Sequence, residues 1–217
     1  MIDVVIVNYK RPDNIKPIVA AFRQQTVEAK ITLVDAGNVE ADVDSYVKVS
    51  ENNGAWNRYS TCMTLRGEFV YYHDDDMLPG PKVLENFLKY TYLPFGVLGQ
   101  IGRKWGTGSY SAFDIRAGSD PLPIDCVVRG YFLRPENLSY LMKCRSYHTI
   151  GSCDDLWLCK SMSILGGLTT YVVPIPTDAE QMNQKELPAP FAVCERPGRG
   201  EIRNAALAAI KRLEETA

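Results

Sequence analysis

One short stretch, Gly67 to Pro79 (GEFVYYHDDDMLP), constrains the fold and the chemistry of this chain more than any other. Phe69 to Tyr72 are apolar or aromatic at every position, which predicts a central strand covered on both faces. Three consecutive carboxylates, Asp74, Asp75 and Asp76, follow almost at once, and ionised carboxylates are costly to bury without compensation. We therefore expect them at the point where the strand leaves the sheet.

This position suggests a ligand for the acidic triplet, because open α/β sheets bind ligands at the carboxyl ends of their strands. Carboxylate oxygens suit Mg²⁺ or Mn²⁺, which keep several waters and take one or two carboxylates together with substrate phosphates. The alternative is an acidic turn between a strand and a helix, where Asp is common. His73, which precedes the triplet, is interpreted as a structural strand residue.

Apolar strands alternate with amphipathic helices along the chain, which is typical of a parallel sheet built from βαβ units. Strands are predicted at 2–7, 30–34, 46–49, 69–72, 95–101, 125–133 and 168–174, and helices from Pro12 and at 55–65, 79–92, 135–144, 154–165 and 201–213. The Gly-, Ser- and Pro-rich segment 102–123 is predicted to be a long surface segment. A chain of 217 residues is long enough for one α/β domain with a mostly parallel sheet flanked by helices.

Composition excludes some classes of protein. A formal net charge of -2 argues against a nucleic-acid surface, which needs many cations to neutralise phosphates. No apolar run approaches the ~20 residues of a membrane span, and the N-terminus has a strand pattern without the basic region of a signal peptide. Six scattered cysteines without a CxxC pair favour reduced, mostly buried thiols: Cys62, Cys126, Cys144, Cys153, Cys159 and Cys194. We therefore expect a cytoplasmic protein.

The order of the motifs resembles that of nucleotide-sugar glycosyltransferases of GT-A fold. A first strand ending in NYKRP, a second ending in LVDAGN, an NNG turn, the acidic triplet and a late acidic pair follow one another. The N-terminal half is similar to family-2 enzymes. From the triplet onward the chain resembles the exostosin family, in YYHDDDMLPGPKVL, GQIGRKW and CDDLWLCKSMSILGGLTTYVV. Small glycosyltransferases that decorate algal-virus capsids share this format, so the cytoplasm of a host cell is one expected location.

The resemblance covers residues 2 to 176 and implies a single GT-A domain over residues 1–217. About residues 1–100 would form the nucleotide-sugar-binding half, and about 101–217 the acceptor half. The implied donor-site residues outside the triplet are Asn8, Tyr9, Arg11, Asp35, Asn53, Arg58 and Lys104. Three of them have ordinary alternatives: Arg11 as a solvated residue at a helix start, Asp35 as part of an Asp turn before Gly37, and Arg58 as a surface helix residue.

The resemblance also gives each acidic group a role. The triplet matches the DXD motif, with Asp76 as the direct metal ligand, Asp74 beside it nearer the ribose as a second ligand, and Asp75 nearer the donor sugar. The late pair supplies the catalytic carboxylate, with Asp155 in that role and Asp154 orienting it or the acceptor. In inverting relatives this carboxylate is the general base, and in retaining ones it lies beside the anomeric carbon. The alternative for the pair is capping of a helix N-terminus.

Further positions are implied more loosely. Trp105 accompanies Lys104 near donor and acceptor, while Gly130 allows a sugar to approach closely and Tyr131 could stack on it or belong to the core strand. A cation from the C-terminal segment often covers the diphosphate in this family. The candidates for that cation here, with a flexible tail as the alternative, are Arg196, Arg199 and Arg203.

The sequence thus predicts a glycosyltransferase that uses Mn²⁺ or Mg²⁺ and moves a hexose from a UDP-sugar to a hydroxyl of a glycan or glycoprotein. A nucleotidyltransferase acting on a sugar phosphate is one alternative. It would normally carry a Gly-rich basic loop after the first strand, whereas NYKRPDN has no glycine. A non-catalytic carbohydrate-binding domain of the same fold is the other alternative.

Overall fold

A computed structural model of the chain describes residues 1–50, 54–104, 113–144, 153–189 and 198–216. Its strands are β1 Ile2–Asn8, β2 Ala29–Asp35, β3 Ser45–Lys48, β4 Phe69–His73, β5 Met77–Leu78, β6 Phe95–Gly99, β7 Gly102–Arg103, β8 Leu122–Ile124, β9 Cys126–Val127, β10 Gly130–Leu133, β11 Thr169–Val172 and β12 Lys185–Glu186. Its α-helices are α1 Pro12–Arg23, α2 Val83–Leu88, α3 Leu138–Lys143, α4 Asp154–Gly166 and α5 Arg199–Thr216. Shorter 3₁₀ helices cover Gly54–Thr61, Pro135–Asn137 and Asp178–Glu180.

Eight strands form one central sheet in the order β3-β2-β1-β4-β10-β6-β11-β8. The first four are parallel to one another, and β11 is parallel to β6. The strand β10 runs antiparallel between β4 and β6, and β8 is an antiparallel edge strand. This arrangement confirms the predicted α/β fold with a mostly parallel sheet.

Two hydrophobic cores cover the faces of the sheet. On one face, α1 and α2 pack Ile15, Ile18 and Phe87 against alternate residues of β1, β2 and β4. On the other face, α3, α4 and α5 contribute buried side chains that include Trp157 and Ile210. Because both faces are covered, the central strands β1 and β4 are apolar at nearly every position and buried along their length.

The register of the central strands brings three chain segments to one edge of the sheet. Ile6 of β1 pairs with His73 of β4, and Asn8 pairs with Asp35 at the end of β2. The residues that follow β1, β2 and β4 therefore emerge side by side at the carboxyl-terminal edge. The acidic triplet begins there, directly after His73, as the sequence predicts.

A later segment, which we call the strap (residues 177–188), runs along the turn that follows the triplet. Its backbone amides at Gln184 and Leu187 donate to the carbonyls of Leu78 and Asp76, both at 2.8 Å. The buried Gln100 contacts the strap through a hydrogen bond: its Oε1 accepts from the Met182 amide at 2.6 Å. The sequence predicts only a polar, Pro-rich stretch from residue 184, so this pairing is a structural finding.

Most elements match their predicted bounds to within about three residues, and four predicted segments differ in kind or extent. The helix expected over 79–92 is limited to α2, because the chain turns at Tyr90, whose amide bonds the Phe87 carbonyl, before Pro94. The helix expected over 55–65 is the 3₁₀ helix Gly54–Thr61. The strand expected over 125–133 is divided into β9 and β10 by Arg129, whose φ of 72° breaks the extended conformation. The segment 102–123 contains β7 and β8, with residues 105–112 outside the described chain.

The described cysteines are reduced and mostly buried, as the sequence predicts. Within the described ranges no disulfide forms; Cys62 is half-buried, and the buried cysteines are Cys126, Cys144, Cys153 and Cys159. The sixth, Cys194, lies outside those ranges. No helix in the described part of the chain is long and apolar enough to cross a bilayer.

Gly80 is expected to be intolerant of any side chain, because it lies against the backbone of the strap. A Cβ there would overlap the Ala179 carbonyl oxygen and lie 2.8 Å from the carbonyl carbon of the same residue. We expect Gly80→Ala to cost about 1–3 kcal/mol of unfolding free energy, measured by urea denaturation. The control is Gly118→Ala, since no atom lies within 4 Å of the added methyl group. Equal stability of both variants would show that the strap does not pack as described.

Candidate active site

The loop after β1 is held to the end of β2 and to the acidic triplet. Asn8 donates from Nδ2 to Asp35 Oδ1 at 2.9 Å, and its Oδ1 accepts from the Arg11 amide at 3.0 Å. Lys10 adopts a left-handed φ of 58°, so that Tyr9 and Arg11 on either side of it turn toward the same carboxylate. That carboxylate is Asp75.

Asp75 is the buried member of the triplet. Its Oδ2 accepts from the Tyr9 amide at 2.6 Å, and its Oδ1 forms an ion pair with the guanidinium of Arg11. Burial raises the pKa of Asp75 to about 6, while Arg11 and the Tyr9 amide oppose the rise, so the carboxylate is ionised at neutral pH. Arg11 is only 9% exposed, so the alternative of a solvated arginine at the helix start is wrong.

The other two carboxylates of the triplet are partly exposed. The side chains of Asp74 and Asp76 have 25% and 31% of their surface accessible. Burial, followed by the charge of Asp74, raises the pKa of Asp76. Asp76 forms an ion pair with Arg11, whose Nη1 lies 3.3 Å from Asp76 Oδ2. The charge of Asp74 thus lies close enough to disfavour the ionised form of Asp76.

This donor set fits a divalent cation. In the described ranges no three His, Cys, Asp or Glu side chains converge into a closed metal cage. Mg²⁺ and Mn²⁺ do not need one, since they take one or two carboxylates and complete their shell with water and phosphate oxygens. Asp74 and Asp76 provide such a pair, and a cation would counter the two causes that raise the pKa of Asp76, burial and the charge of Asp74.

Arg58 lies between the triplet and the late acidic pair. Its Nη2 donates to Asp74 Oδ1 at 2.8 Å, and its Nε lies 3.7 Å from Asp154 Oδ2. The guanidinium carbon is 5.2 Å from the ring centre of Tyr131. Arg58 is 7% exposed, so the alternative of a surface helix residue is wrong. A single buried arginine therefore links the two acidic motifs across 80 residues of sequence.

The late acidic pair begins α4. Asp154 Oδ2 accepts from the Tyr59 hydroxyl at 3.1 Å, and burial raises the pKa of Asp154 while Arg58 opposes the rise. Asp155 Oδ1 accepts from the Leu156 amide at 2.9 Å, and the Asp155 amide bonds the Asp154 carboxylate. Both carboxylates thus accept hydrogen bonds from backbone amides at the helix N-terminus, as the capping alternative predicts. Asp154 in addition reaches across to Arg58 and Tyr59, which capping does not explain.

Backbone strain accumulates at this edge of the sheet. Within the described ranges, the non-glycine residues with positive φ are Lys10, Arg129 and Cys153. Lys10 turns the first loop, Arg129 immediately precedes the strand that pairs with β4, and Cys153 precedes the late acidic pair. Non-glycine residues in this conformation are uncommon and persist where the surrounding structure holds them, often at functional sites.

Asp35 has a local role. Its carboxylate accepts from the amides of Gly37 and Val39, from the Tyr46 hydroxyl and from Asn8, at 2.7–3.1 Å. Four donors fill the usual acceptor positions of a carboxylate and lower the pKa of Asp35. The Asp-turn alternative is therefore what the structure shows, and a nucleotide contact by the Asp35 carboxylate would require one of these bonds to break.

The remaining predicted residues are less informative. Lys104 is exposed directly after β7, Arg203 is half-buried on α5, and Gly130 and Tyr131 belong to β10. Tyr131 is buried against Arg58, which favours the core-strand alternative. The predicted residues that lie outside the described chain or have no described side chain are Asn53, Trp105, Arg196 and Arg199.

Sequence reasoning overlooked two groups at the site. Tyr59 bonds Asp154, and Asn14 donates to the backbone carbonyls of Asp75 and Pro188, both at 2.8 Å, which ties the triplet to the strap. Asn14 sits in the first turn of α1, where an Asn is usually assigned to capping, so no sequence signal marks it. Tyr59, adjacent to Arg58, is likewise unmarked.

Comparison with known proteins identifies the fold. No protein-family model and no curated protein matches the sequence. The structure is similar to that of GalNAc-T7 with UDP, GalNAc and Mn²⁺, with a TM-score of 0.57 and 11% identity over 89% of this chain and 46% of that one. It is also similar to a mannosyltransferase, PcManGT from Pyrobaculum calidifontis, in complex with GDP-Man and Mn²⁺, with a TM-score of 0.54 and 14% identity over 100% and 74%. The chain has the GT-A fold.

The GT-A fold is not confined to glycosyltransferases. A nucleotidyl transferase from Methanothermobacter, Mth528, matches with a TM-score of 0.52 and 14% identity over 100% of this chain and 99% of that one. The chain spans between 36% and 57% of the length of the GalNAc-T7 and Staphylococcus aureus TarS structures that it matches. At these identities the likeness shows the fold, and the activity has to be argued from the site.

His73 should make the stability of the fold sensitive to acid. Burial lowers the pKa of His73 to about 4, with its ring packed at the edge of Phe22 and its Nε2 2.8 Å from the Met77 carbonyl oxygen. Because the unfolded imidazole has a pKa near 6.5, the unfolded state binds a proton between pH ~6.5 and ~4 and the folded state does not. The contribution of neutral His73 to the free energy of unfolding is therefore fully present above pH ~6.5 and is lost as the pH falls toward ~4.

We expect protonation of His73 in the unfolded state to lower the free energy of unfolding by about 2–3 kcal/mol between pH 6.5 and 4.5. Urea denaturation of wild type and His73→Gln at both pH values checks it, because the difference between the two pH dependences isolates His73 from the titrating carboxylates. Parallel pH dependences would mean that His73 is not buried in its neutral form.

Proposed function

We propose that the chain is a metal-dependent glycosyltransferase that transfers a hexose from a UDP-sugar to a hydroxyl of a glycan or glycoprotein. One observation carries the proposal: the acidic triplet and the late acidic pair meet at Arg58, at the carboxyl-terminal edge of a GT-A sheet. A donor diphosphate needs a cation, and an acceptor hydroxyl needs a carboxylate nearby. The site offers both within one connected group of side chains.

The donor side would be built from residues of the N-terminal half, about 1–100. Asp76 and Asp74 would hold Mn²⁺ or Mg²⁺, which when bound would neutralise the charge that develops on the UDP leaving group. Asp75 is engaged by Arg11 and Tyr9, so its contribution is to fix the loop after β1 beside the two metal carboxylates. The nucleotide would then lie against that loop and the Asp35 loop, with Lys104 as an exposed cation toward the donor sugar.

The acceptor side would come mainly from residues 101–217, with Asp155 as the catalytic carboxylate. Asp154 orients the start of α4, because Tyr59 and the Asp155 amide bond its carboxylate and Arg58 lies beside it. Asp155, the next residue, is held by the Leu156 amide through one oxygen. It would take the proton of the acceptor hydroxyl in an inverting reaction, or lie beside the anomeric carbon in a retaining one.

The fold comparisons support a nucleotide-sugar donor and leave its base open. One similar structure carries UDP and another GDP-Man, and both carry Mn²⁺. The choice of UDP for this chain therefore rests on the resemblance of its sequence motifs to UDP-sugar enzymes. The exostosin-type and algal-virus resemblances, and with them a cytoplasmic enzyme, remain predictions from the sequence.

A nucleotidyltransferase acting on a sugar phosphate is the second candidate, and the coverage of Mth528 over nearly its whole length favours it. The loop after β1 argues against it. That loop, Tyr9 to Arg11, has no glycine, and the Tyr9 amide donates to Asp75 and so is not aimed at a triphosphate. Release of pyrophosphate from UTP and a sugar 1-phosphate would favour this candidate, whereas release of UDP from a UDP-sugar would favour ours.

Asp76→Asn should abolish metal-dependent binding of UDP, because it removes the more exposed of the two candidate ligands and its charge. Calorimetric titration of UDP with and without Mn²⁺ measures this. We expect the UDP affinity of the variant with Mn²⁺ to be at least about tenfold below that of the wild type, equivalent to 1.4 kcal/mol. The matched control is Asp44→Asn, a carboxylate of similar exposure that pairs with Arg23 at 2.9 Å away from the site. Unchanged binding by Asp76→Asn would remove the metal role from the triplet.

Asp155→Asn should impair turnover without impairing donor binding. We expect the rate of UDP release from a UDP-sugar to fall by about 10²–10⁴-fold, the usual contribution of an acid–base group. Affinity for UDP with Mn²⁺ should stay within about twofold, because Asp155 does not lie in the donor triplet. Glu201→Gln is the control, since it changes an acidic residue in the first turn of α5. Equal turnover in wild type and Asp155→Asn would leave Asp155 with the capping role alone.

A further inference from the structure

Arg58 is buried and oriented toward protein carboxylates. Its side chain is 9% exposed, and its guanidinium carbon is 5.2 Å from the ring centre of Tyr131. Nη2 bonds Asp74 at 2.8 Å, and Nε faces Asp154 at 3.7 Å. These contacts join Arg58 to both acidic motifs, whereas the sequence resemblance implies a contact with the nucleotide.

The position of Arg58 also has an electrostatic consequence. Asp74 belongs to the donor triplet and Asp154 to the acceptor-side pair, and Arg58 has a nitrogen within 4 Å of a carboxylate oxygen of each. One buried cation lies between them. The planar guanidinium can face two carboxylates with different nitrogens at once, which a lysine ammonium on its flexible stem does less well. Loss of charge or displacement of either carboxylate must therefore change the electrostatic interaction between Arg58 and the other carboxylate.

We infer that Arg58 is a positioning residue that couples the donor triplet to the late acidic pair through Asp74 and Asp154. The inference rests on the proposed function, and it assigns Arg58 to the link between the two halves in place of nucleotide binding. A cation that engages Asp74 leaves more of the Arg58 charge for Asp154. If Asp154 is removed, Arg58 interacts more strongly with Asp74. Asp74 is then less available to a cation, and metal binding weakens. Such coupling is reciprocal by thermodynamic necessity.

The test is a double-mutant cycle on UDP binding in the presence of Mn²⁺, measured by calorimetry at pH 7. Asp154 lies outside the donor triplet, yet we expect Asp154→Asn to weaken UDP affinity about fivefold or more in the wild-type background. In an Arg58→Met background the same change should alter affinity less than about twofold, because the coupling cation is gone. Arg58→Lys, which keeps the charge without the fork, should give an intermediate coupling.

A matched control separates coupling from general damage. Arg134 also pairs with a carboxylate, Glu68 at 3.1 Å, and lies 4.7 Å from the ring centre of Phe69, beyond the far end of the same sheet strands. In an Arg134→Met background, Asp154→Asn should keep its full effect on UDP affinity. The inference is overturned if Asp154→Asn leaves UDP affinity unchanged in wild type, or if its effect is the same with and without Arg58.

Thermal unfolding without ligand distinguishes failure of this inference from failure of the proposed function. Arg58→Met should lower Tm by roughly 6–15 °C, because it leaves the buried Asp154 and the partly exposed Asp74 uncompensated. Adding Asp154→Asn to that variant should restore part of the loss, whereas alone it should lower Tm. Absence of UDP binding by the wild type would contradict the proposed function, while additive Tm shifts would overturn the Arg58 link whether or not UDP binds.

Discussion

The constraint on which this structure depends is the gathering of negative charge at one edge of the sheet. Three carboxylates follow β4 and two begin α4, while Arg11 and Arg58 are the buried arginines of the described chain. Each arginine serves two carboxylates. Negative charge therefore remains in excess at this edge, and it is concentrated at the partly exposed Asp74 and Asp76. This excess of negative charge supports the proposal that the edge binds a cation.

The rest of the fold supports that arrangement. Parallel pairing of β1, β2 and β4 delivers their following loops to the same edge, and the antiparallel β10 places Tyr131 beneath Arg58. The strap closes over the turn after the triplet through backbone bonds and through Asn14. Strained residues occur where these segments meet. Stability and site geometry are thus provided by the same contacts, and changes in the strap should alter the positions of Asp74 and Asp76.

Local pattern was sufficient to predict some of this and insufficient for the rest. The buried strand before the acidic triplet, the helix after the late pair and the α/β class follow from hydrophobic periodicity, which the chain carries locally. The environment of Arg58 does not, because its partners lie 16 and 96 residues away and only the fold brings them together. The four bonds of Asp35 and the strap depend in the same way on loop conformation, and Arg129 interrupts a strand that its apolar neighbours predict to be continuous.

The most direct test of the account is a crystal structure with Mn²⁺ and UDP, in which anomalous scattering locates the metal. We predict a single strong peak within about 2.0–2.4 Å of a carboxylate oxygen of Asp76 or Asp74, with the UDP diphosphate completing its shell. Arg58 should still lie between Asp74 and Asp154, and the base should lie against the loops after β1 and β2. A metal bound elsewhere, or UDP bound away from this edge of the sheet, would contradict the assignment of the triplet as the donor site.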